Sequence, residues 1–179
     1  MRRRGQGLVE FALVLPLLLF LVMAIADFGR LLLIYAELAG GVREALRYAI
    51  VNAPASSMTT QQWNQYCNVE LLNRLRAALV LTPPNALVPG QTYFVSFEPF
   101  RYDTNSFAPA VPCPPPSDKK KNFVLKREDR VVIEVRVTVS TITPFIQALL
   151  PQAQIQYKAG RTVFPPDGVY FGPYQLPNP

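Results

Sequence analysis

The stretch "RRRGQGLVEFALVLPLLLFLVMAIADFGR", residues 2–30, decides how the rest of the chain is read. Three arginines lead into a run in which, from Phe11 to Ala26, Pro16 is the only residue that is not strongly apolar. With Gly7 to Val9 included, the run approaches the roughly 20 residues that carry a helix across about 30 Å of hydrocarbon, with little to spare. Arg2, Arg3 and Arg4 place its start in the cytoplasm under the positive-inside bias, and everything after Asp27 outside. A secretory signal peptide shares the basic start and the apolar core. This run, however, is longer than a usual signal core, and no clear small-x-small site follows it. Two residues interrupt the pattern. Glu10 sets a carboxylate near the start of the span, where an unpaired charge costs roughly a few kcal/mol and is by default functional. Pro16 removes a helix hydrogen bond, a loss that membrane bundles tolerate and that by itself says nothing about function.

Helical rhythm continues past the span. In "ADFGRLLLIYAELAGGVREALRYAIV", residues 26–51, the side chains of Leu38, Val42, Ala45, Leu46 and Ala49 recur on one face, and the pattern stops before Pro54. One helix from Gly7 to Val51 is therefore expected, starting in lipid and ending against a folded head, with Gly40 and Gly41 as a weak point or bend. Thr59 and Gln62 have capping-box spacing and open a second helix running to about Leu81. Its stripe of Cys67, Leu71, Leu75 and Ala78 faces the first helix, antiparallel to it. Tyr93, Val95 and Phe97 alternate as one side of a strand, and Val131 to Ser140 form the clearest strand of all. "PFIQALLP", residues 144–151, reads as a short helical turn leading to a last strand at about 154–164. The fold class is α+β: a long N-terminal transmembrane helix continuing into an extracytoplasmic, pilin-like head in which a second helix packs on a small antiparallel sheet. The corresponding divisions are a basic leader 1–5, a transmembrane helix 6–28 and a head 29–179. The head includes a Pro-rich loop 104–122, exposed and ending in lysines, and a Pro-rich tail 165–179 whose Tyr170, Phe171 and Tyr174 are expected to fold back on the core, with service to a partner as the alternative.

The chemistry of the sequence points away from catalysis. The chain of 179 residues has no histidine, which removes the commonest general base and the commonest metal ligand together. It has no Gly-rich phosphate loop, no nucleophile elbow and no CxxC pair. Glu128 and Asp129 sit in a basic-flanked turn and read as a solvated hairpin. No catalytic, cofactor or metal site is assigned, and neither a cofactor nor a small-molecule substrate is expected. The net charge of +6 is divided between Arg2 to Arg4 and Lys119 to Lys121 and forms no single basic face, so nucleic acid is not an expected partner. Cys67 and Cys113 are the two cysteines. In an extracytoplasmic head they suggest one disulfide closing a loop of about 45 residues, worth roughly 4 kcal/mol. Two buried free thiols are the alternative, though "AVPCPPPS" around Cys113 is too proline-rich to bury a thiol by regular packing.

The opening stretch resembles the amino terminus of TadE-like proteins, the pseudopilins of the tight-adherence branch of type IV pilus systems. The resemblance rests on the basic leader ending in Gly5, on Glu10 with Phe11 after it, on Asp27 to Arg30, and on the "REALRYA" segment from Arg43 to Ala49. It implies a structural assembly protein that is cut by a prepilin peptidase between Gly5 and Gln6, which makes Glu10 the fifth residue of the mature chain. It implies further that Glu10 meets the new amino terminus of a neighbouring subunit and so sets register between packed helices. Snorkelling of Glu10 to headgroup water, or pairing with Arg3 or Arg4, is the plainer account of the same acid. Gln6 departs from the apolar first residue that major pilins favour. The implied partners are membrane lipid, other pilin-like or membrane subunits, and the peptidase. The implied location is the cell membrane, single-pass, with the head outside and incorporation into a surface filament an open step. An accessory subunit of another membrane complex and a stalked adhesive or binding module are the competing readings.

Overall fold

The computed structural model describes residues 3–53, 58–115, 125–126, 128–149 and 151–163. Its first element, α1 (Arg3–Val51), is one continuous helix of 49 residues, about 74 Å long at 1.5 Å per residue. It is long and apolar enough to cross a membrane. Its apolar amino-terminal half is largely exposed, with Met23 and Ala26 bordering the loop after the long central strand. From Asp27 onward one face turns inward, and Ile34, Leu38, Val42, Ala45, Leu46 and Ala49 are buried.

The return helix has three segments: α2 (Thr60–Asn64), a π-helical turn (Gln65–Glu70) and α3 (Leu71–Ala77). The capping box forms as expected, with the Thr59 hydroxyl accepting from the Gln62 backbone N–H and the Gln62 side chain accepting from the Thr59 backbone N–H. The π turn has a reason in the sequence. Trp63, Cys67, Leu71 and Leu75 are spaced four apart and all buried, and each step of four overshoots an ideal helical turn by about 40°. A wider turn takes up that drift and keeps the stripe on one line. Contacts with α1 run in reverse order: Gly41 against Leu75 and Ala78, the Tyr48 hydroxyl donating to Glu70, and the Tyr66 hydroxyl donating to the Ala49 carbonyl. The two helices are thus antiparallel. The return helix stops at Ala77, short of Leu81, because the N–H groups of Val80 and Leu81 donate to the carboxylate of Glu37 on α1.

Four strands make the main sheet, β1 (Tyr93–Glu98), β4 (Val111–Pro112), β5 (Arg130–Ser140) and β6 (Gln152–Thr162), in the order β4-β1-β5-β6 and antiparallel throughout. A separate small ribbon pairs β2 (Phe100–Arg101) with β3 (Ser106–Phe107). The helices cover one face, where Tyr93, Val95, Phe97, Val131, Ile133, Val135, Val137 and Val139 meet the buried stripes of α1 and the return helix. Trp63 packs on Phe97 with ring centroids 5.3 Å apart. Inside this core the Tyr93 hydroxyl donates to the Cys67 carbonyl. Burial pushes the phenols of both Tyr66 and Tyr93 well up, so they remain donors across the neutral range. The short helix α4 (Pro144–Leu149) joins β5 to β6.

Two local expectations change. The first part of the Pro-rich loop 104–122 is built into the sheet: β4 pairs with β1, the Cys113 N–H donates to the Val95 carbonyl, and Cys113 is disulfide-bonded to Cys67, 46 residues away. Asp129 is buried rather than solvated, because its carboxylate accepts the backbone N–H groups of Phe100 and Lys126 at 2.9 and 2.7 Å and so holds the entry to β5. Lys119 to Lys121 and the tail 165–179 lie outside the described residues.

Gly40 and Gly41, alike in sequence, are not alike in place, and neither breaks α1. Nothing lies within 4 Å of a methyl group added at Gly40, whereas at Gly41 it would meet Leu75 Cδ1 at 2.9 Å and the Leu75 carbonyl oxygen at 3.2 Å. Gly41 is where the return helix closes on α1. Gly40→Ala is therefore expected to stabilise the protein by about 0.5–1 kcal/mol through helix propensity, and Gly41→Val to destabilise it by roughly 1–3 kcal/mol through overpacking. Denaturant unfolding of the detergent-solubilised protein checks this, and equal shifts in the two variants would contradict it.

Candidate functional site: the bare helix and its junction with the head

Every large apolar side chain from Leu8 to Ile25 is exposed, so the apolar half of α1 is largely open surface. Glu10 is exposed on this surface, and Phe11 beside it is 59 % exposed. Gly5 and Gln6 lie in the first turns of α1, with their surroundings, like the side chains of Arg3 and Arg4, outside the described structure. The pairing of Glu10 with Arg3 or Arg4 thus falls outside it too. Between the two acids Glu10 and Asp27 the helix rises about 25 Å, slightly less than the hydrocarbon thickness of a typical bilayer.

Asp27 closes the far end of the bare segment. It is only 6 % exposed, and its carboxylate oxygens accept the backbone N–H groups of Ile142 and Thr143 at 3.1 and 3.0 Å, with the Thr143 hydroxyl adding another hydrogen bond. One turn on, Arg30 donates from Nη1 to the Ser140 carbonyl at 3.2 Å. An acid and a base one turn apart thus hold the end of β5 and the loop beyond it against α1. Met23, Ala26, Asp27, Ile142 and Thr143 line a half-open cleft of about 250 Å³ at this junction. Two turns further, the carboxylate of Glu37 holds the end of the return helix through Val80, Leu81 and Thr82. Asp27 and Glu37 therefore face the head and bind its backbone, whereas Glu44, further along α1, is exposed. The face of α1 away from the head stays apolar for more than a further turn, with Phe28, Leu32 and Leu33 exposed.

Residues 5–47 match the family described as TadE-like protein. The amino-terminal segment is TadE-like. No curated protein and no solved structure matches the chain. The match points to a role related to Tad-type pili, in a structural, pilus-associated family. It ends within α1, so the TadE-like segment contains Gly5, Gln6, Glu10, Phe11, Asp27, Arg30 and Gly41, together with most of the α1 face that the head covers. The sheet and the disulfide lie beyond it.

The structure separates the residues of the TadE-like segment into two groups. Glu10 and Phe11 face outward on the bare helix, whereas Asp27, Arg30 and Glu37 face the head and position it. The second group was not singled out as a site from the sequence, although Asp27 carries a signal there as the first charge after the apolar run. Among the described residues no group of three or more His, Cys, Asp or Glu could hold a metal ion. Asp27→Asn replaces one acceptor oxygen with a donor facing an N–H. Amide exchange at Ile142 and Thr143 is expected to quicken roughly tenfold or more, with exchange in β1 unchanged. Hydrogen–deuterium exchange on the solubilised protein checks it. Glu44→Gln, which removes an exposed ion pair with Arg47, should leave the same amides as they were.

Proposed function

We propose that this chain is a TadE-like pseudopilin, a structural subunit of a Tad-type pilus or secretion filament that packs through α1. The leader 1–5 is cytoplasmic, the helix 6–28 crosses the inner membrane, and the head 29–179 stands on the far side. A prepilin peptidase cuts between Gly5 and Gln6, and Glu10 then offers its carboxylate to the amino terminus of a neighbouring helix. The observation that supports this reading is the single helix that carries the TadE-like segment. Its first half is bare apolar surface with an exposed acid near one end, and its second half is clamped to a head by Asp27, Arg30 and Glu37. A charge left on such a surface gains from a partner of opposite sign at matching height, which is how one acid can select a register. Phe28, Leu32 and Leu33 prolong the packing face beyond the span. The disulfide suits an oxidising compartment outside the cytoplasm.

Intact-mass measurement on membrane-extracted protein, from cells that hold the peptidase, tests the reading. The expected mass lacks Met1 to Gly5, and Gly5→Val restores the full mass. A wild-type mass that keeps the three arginines sinks the pilin route and favours a permanently anchored subunit of another membrane complex.

A further inference from the structure

The end of the β5–β6 hairpin extends well past the rest of the sheet. Strand β1 begins at Tyr93 opposite Val135, and five further pairs, from Arg136–Gln156 to Ser140–Gln152, carry the hairpin about 17 Å beyond it. The overhang runs along α1 toward the bare segment: Tyr157 packs edge-on against Tyr35, and Ile142 and Thr143 reach Asp27, two turns nearer the amino terminus. We infer that the hairpin tip, residues 140–149, is a second membrane contact, an interfacial foot that seats the head on the lipid surface beside its own helix. This rests on the reading of α1 as a membrane span.

Four observations carry it. The span is short. If Glu10 and Asp27 are only about 25 Å apart, both acids lie at the edges of a hydrocarbon layer of about 30 Å, and whatever binds Asp27 is brought to that depth. Secondly, the chain turns outward at the tip: Ile142 is 66 % exposed between Thr141 and Thr143, which are 8 % and 6 % exposed. It shares its cleft with Met23 and Ala26, residues of the apolar run, so the surface of the span continues onto the loop. Thirdly, the polar backbone here is largely satisfied. The N–H groups of Ile142 and Thr143 donate to Asp27, the Ser140 carbonyl accepts from Arg30, and the Thr143 carbonyl accepts from the Gln147 N–H. Irregular backbone is tolerated at membrane depth under that condition. Finally, no charged residue occurs from Val137 to Tyr157, while Arg130, Glu134, Arg136, Lys158 and Arg161 occupy the parts of the same two strands farther from the tip. An uncharged end, polar but for residues such as Ile142, next to a membrane helix fits the headgroup side of the headgroup and acyl boundary.

The test uses the full chain in phosphatidylcholine–phosphatidylglycerol vesicles, with single cysteines carrying an environment-sensitive fluorophore; both native cysteines are held in the disulfide. Labels at Ile142→Cys, Gln154→Cys and Lys158→Cys, all exposed positions, step away from the tip, with Val80→Cys as the remote control and Leu18→Cys inside the span. Lipids spin-labelled near the headgroup should quench Ile142→Cys several-fold more than Val80→Cys, with the effect falling in the order 142, 154, 158. If the label at 142 disturbs the loop, the 154-to-158 gradient still reads the seat. Strong quenching at Leu18→Cys by deep spin labels with none at 142 or 154 overturns the foot and leaves the span standing. Absence of quenching at Leu18→Cys overturns the span and the foot together. A label at 142 shielded from both lipid spin labels and aqueous iodide marks a second protein chain there and likewise overturns the proposal.

Discussion

The two hydrogen bonds from Ile142 and Thr143 to the Asp27 carboxylate are the constraint on which the arrangement of this molecule depends. Asp27 stands where the bare apolar part of α1 ends, and a carboxylate at such a place needs partners. Here they are backbone N–H groups of the segment that follows β5, which can serve only if the hairpin lies along the helix. Arg30 adds a bond to the Ser140 carbonyl one turn away, so the hairpin is held in both position and height. Because β5 is also the strand on which β1 and β6 both pair, fixing its end fixes the sheet.

The rest of the head closes against that frame by complementary shape. The return helix approaches α1 at Gly41, where even a methyl group would collide with Leu75. Its π turn keeps Trp63, Cys67, Leu71 and Leu75 on one line facing the sheet and α1. The Cys67–Cys113 bridge ties that helix to the strand edge beyond β1, so the return helix and β4 cannot separate in the unfolded chain. Glu37 and Asp129 do for the return helix and for β5 what Asp27 does for the hairpin tip. Each is an acid whose oxygens accept backbone N–H groups from a distant segment. Three of the molecule's acids are thus joints, whereas Glu10 on the bare helix faces outward.

Much of this was legible along the chain because it is periodic. The helix from Gly7 to Val51, the Thr59 cap, the alternation in Tyr93 to Phe97 and in Val131 to Val139, and the helical turn before the last strand each depend on residues near in sequence. The failures have a common cause. Asp129 read as solvated because its neighbours are charged, but its partners Phe100 and Lys126 include a residue 29 positions away. Leu81 read as helical because the apolar rhythm persists, but Glu37, 44 positions back, takes its N–H. Gly40 and Gly41 read as one weak point, while only the second faces another helix. The candidate site divides in the same way: Gly5, Gln6, Glu10 and Phe11 are assigned by resemblance to a family, from the leader, the apolar run and the Asp27 to Arg30 segment together, whereas the roles of Asp27 and Arg30 appear only in the fold.

By itself the sequence determined that an apolar helix long enough for a membrane leads into an α+β head, because hydrophobic run length and side-chain period are local properties, overridden by distant contacts here only at element ends such as Leu81. It also marked the TadE-like segment and the acid within it. Only the tertiary structure decided where the head sits on that helix. That position comes from Asp27, Arg30 and Glu37 binding backbone groups 43 to 116 residues away. A backbone N–H is present at nearly every residue, so no pattern in the sequence says which ones a given carboxylate will meet until the chain has folded.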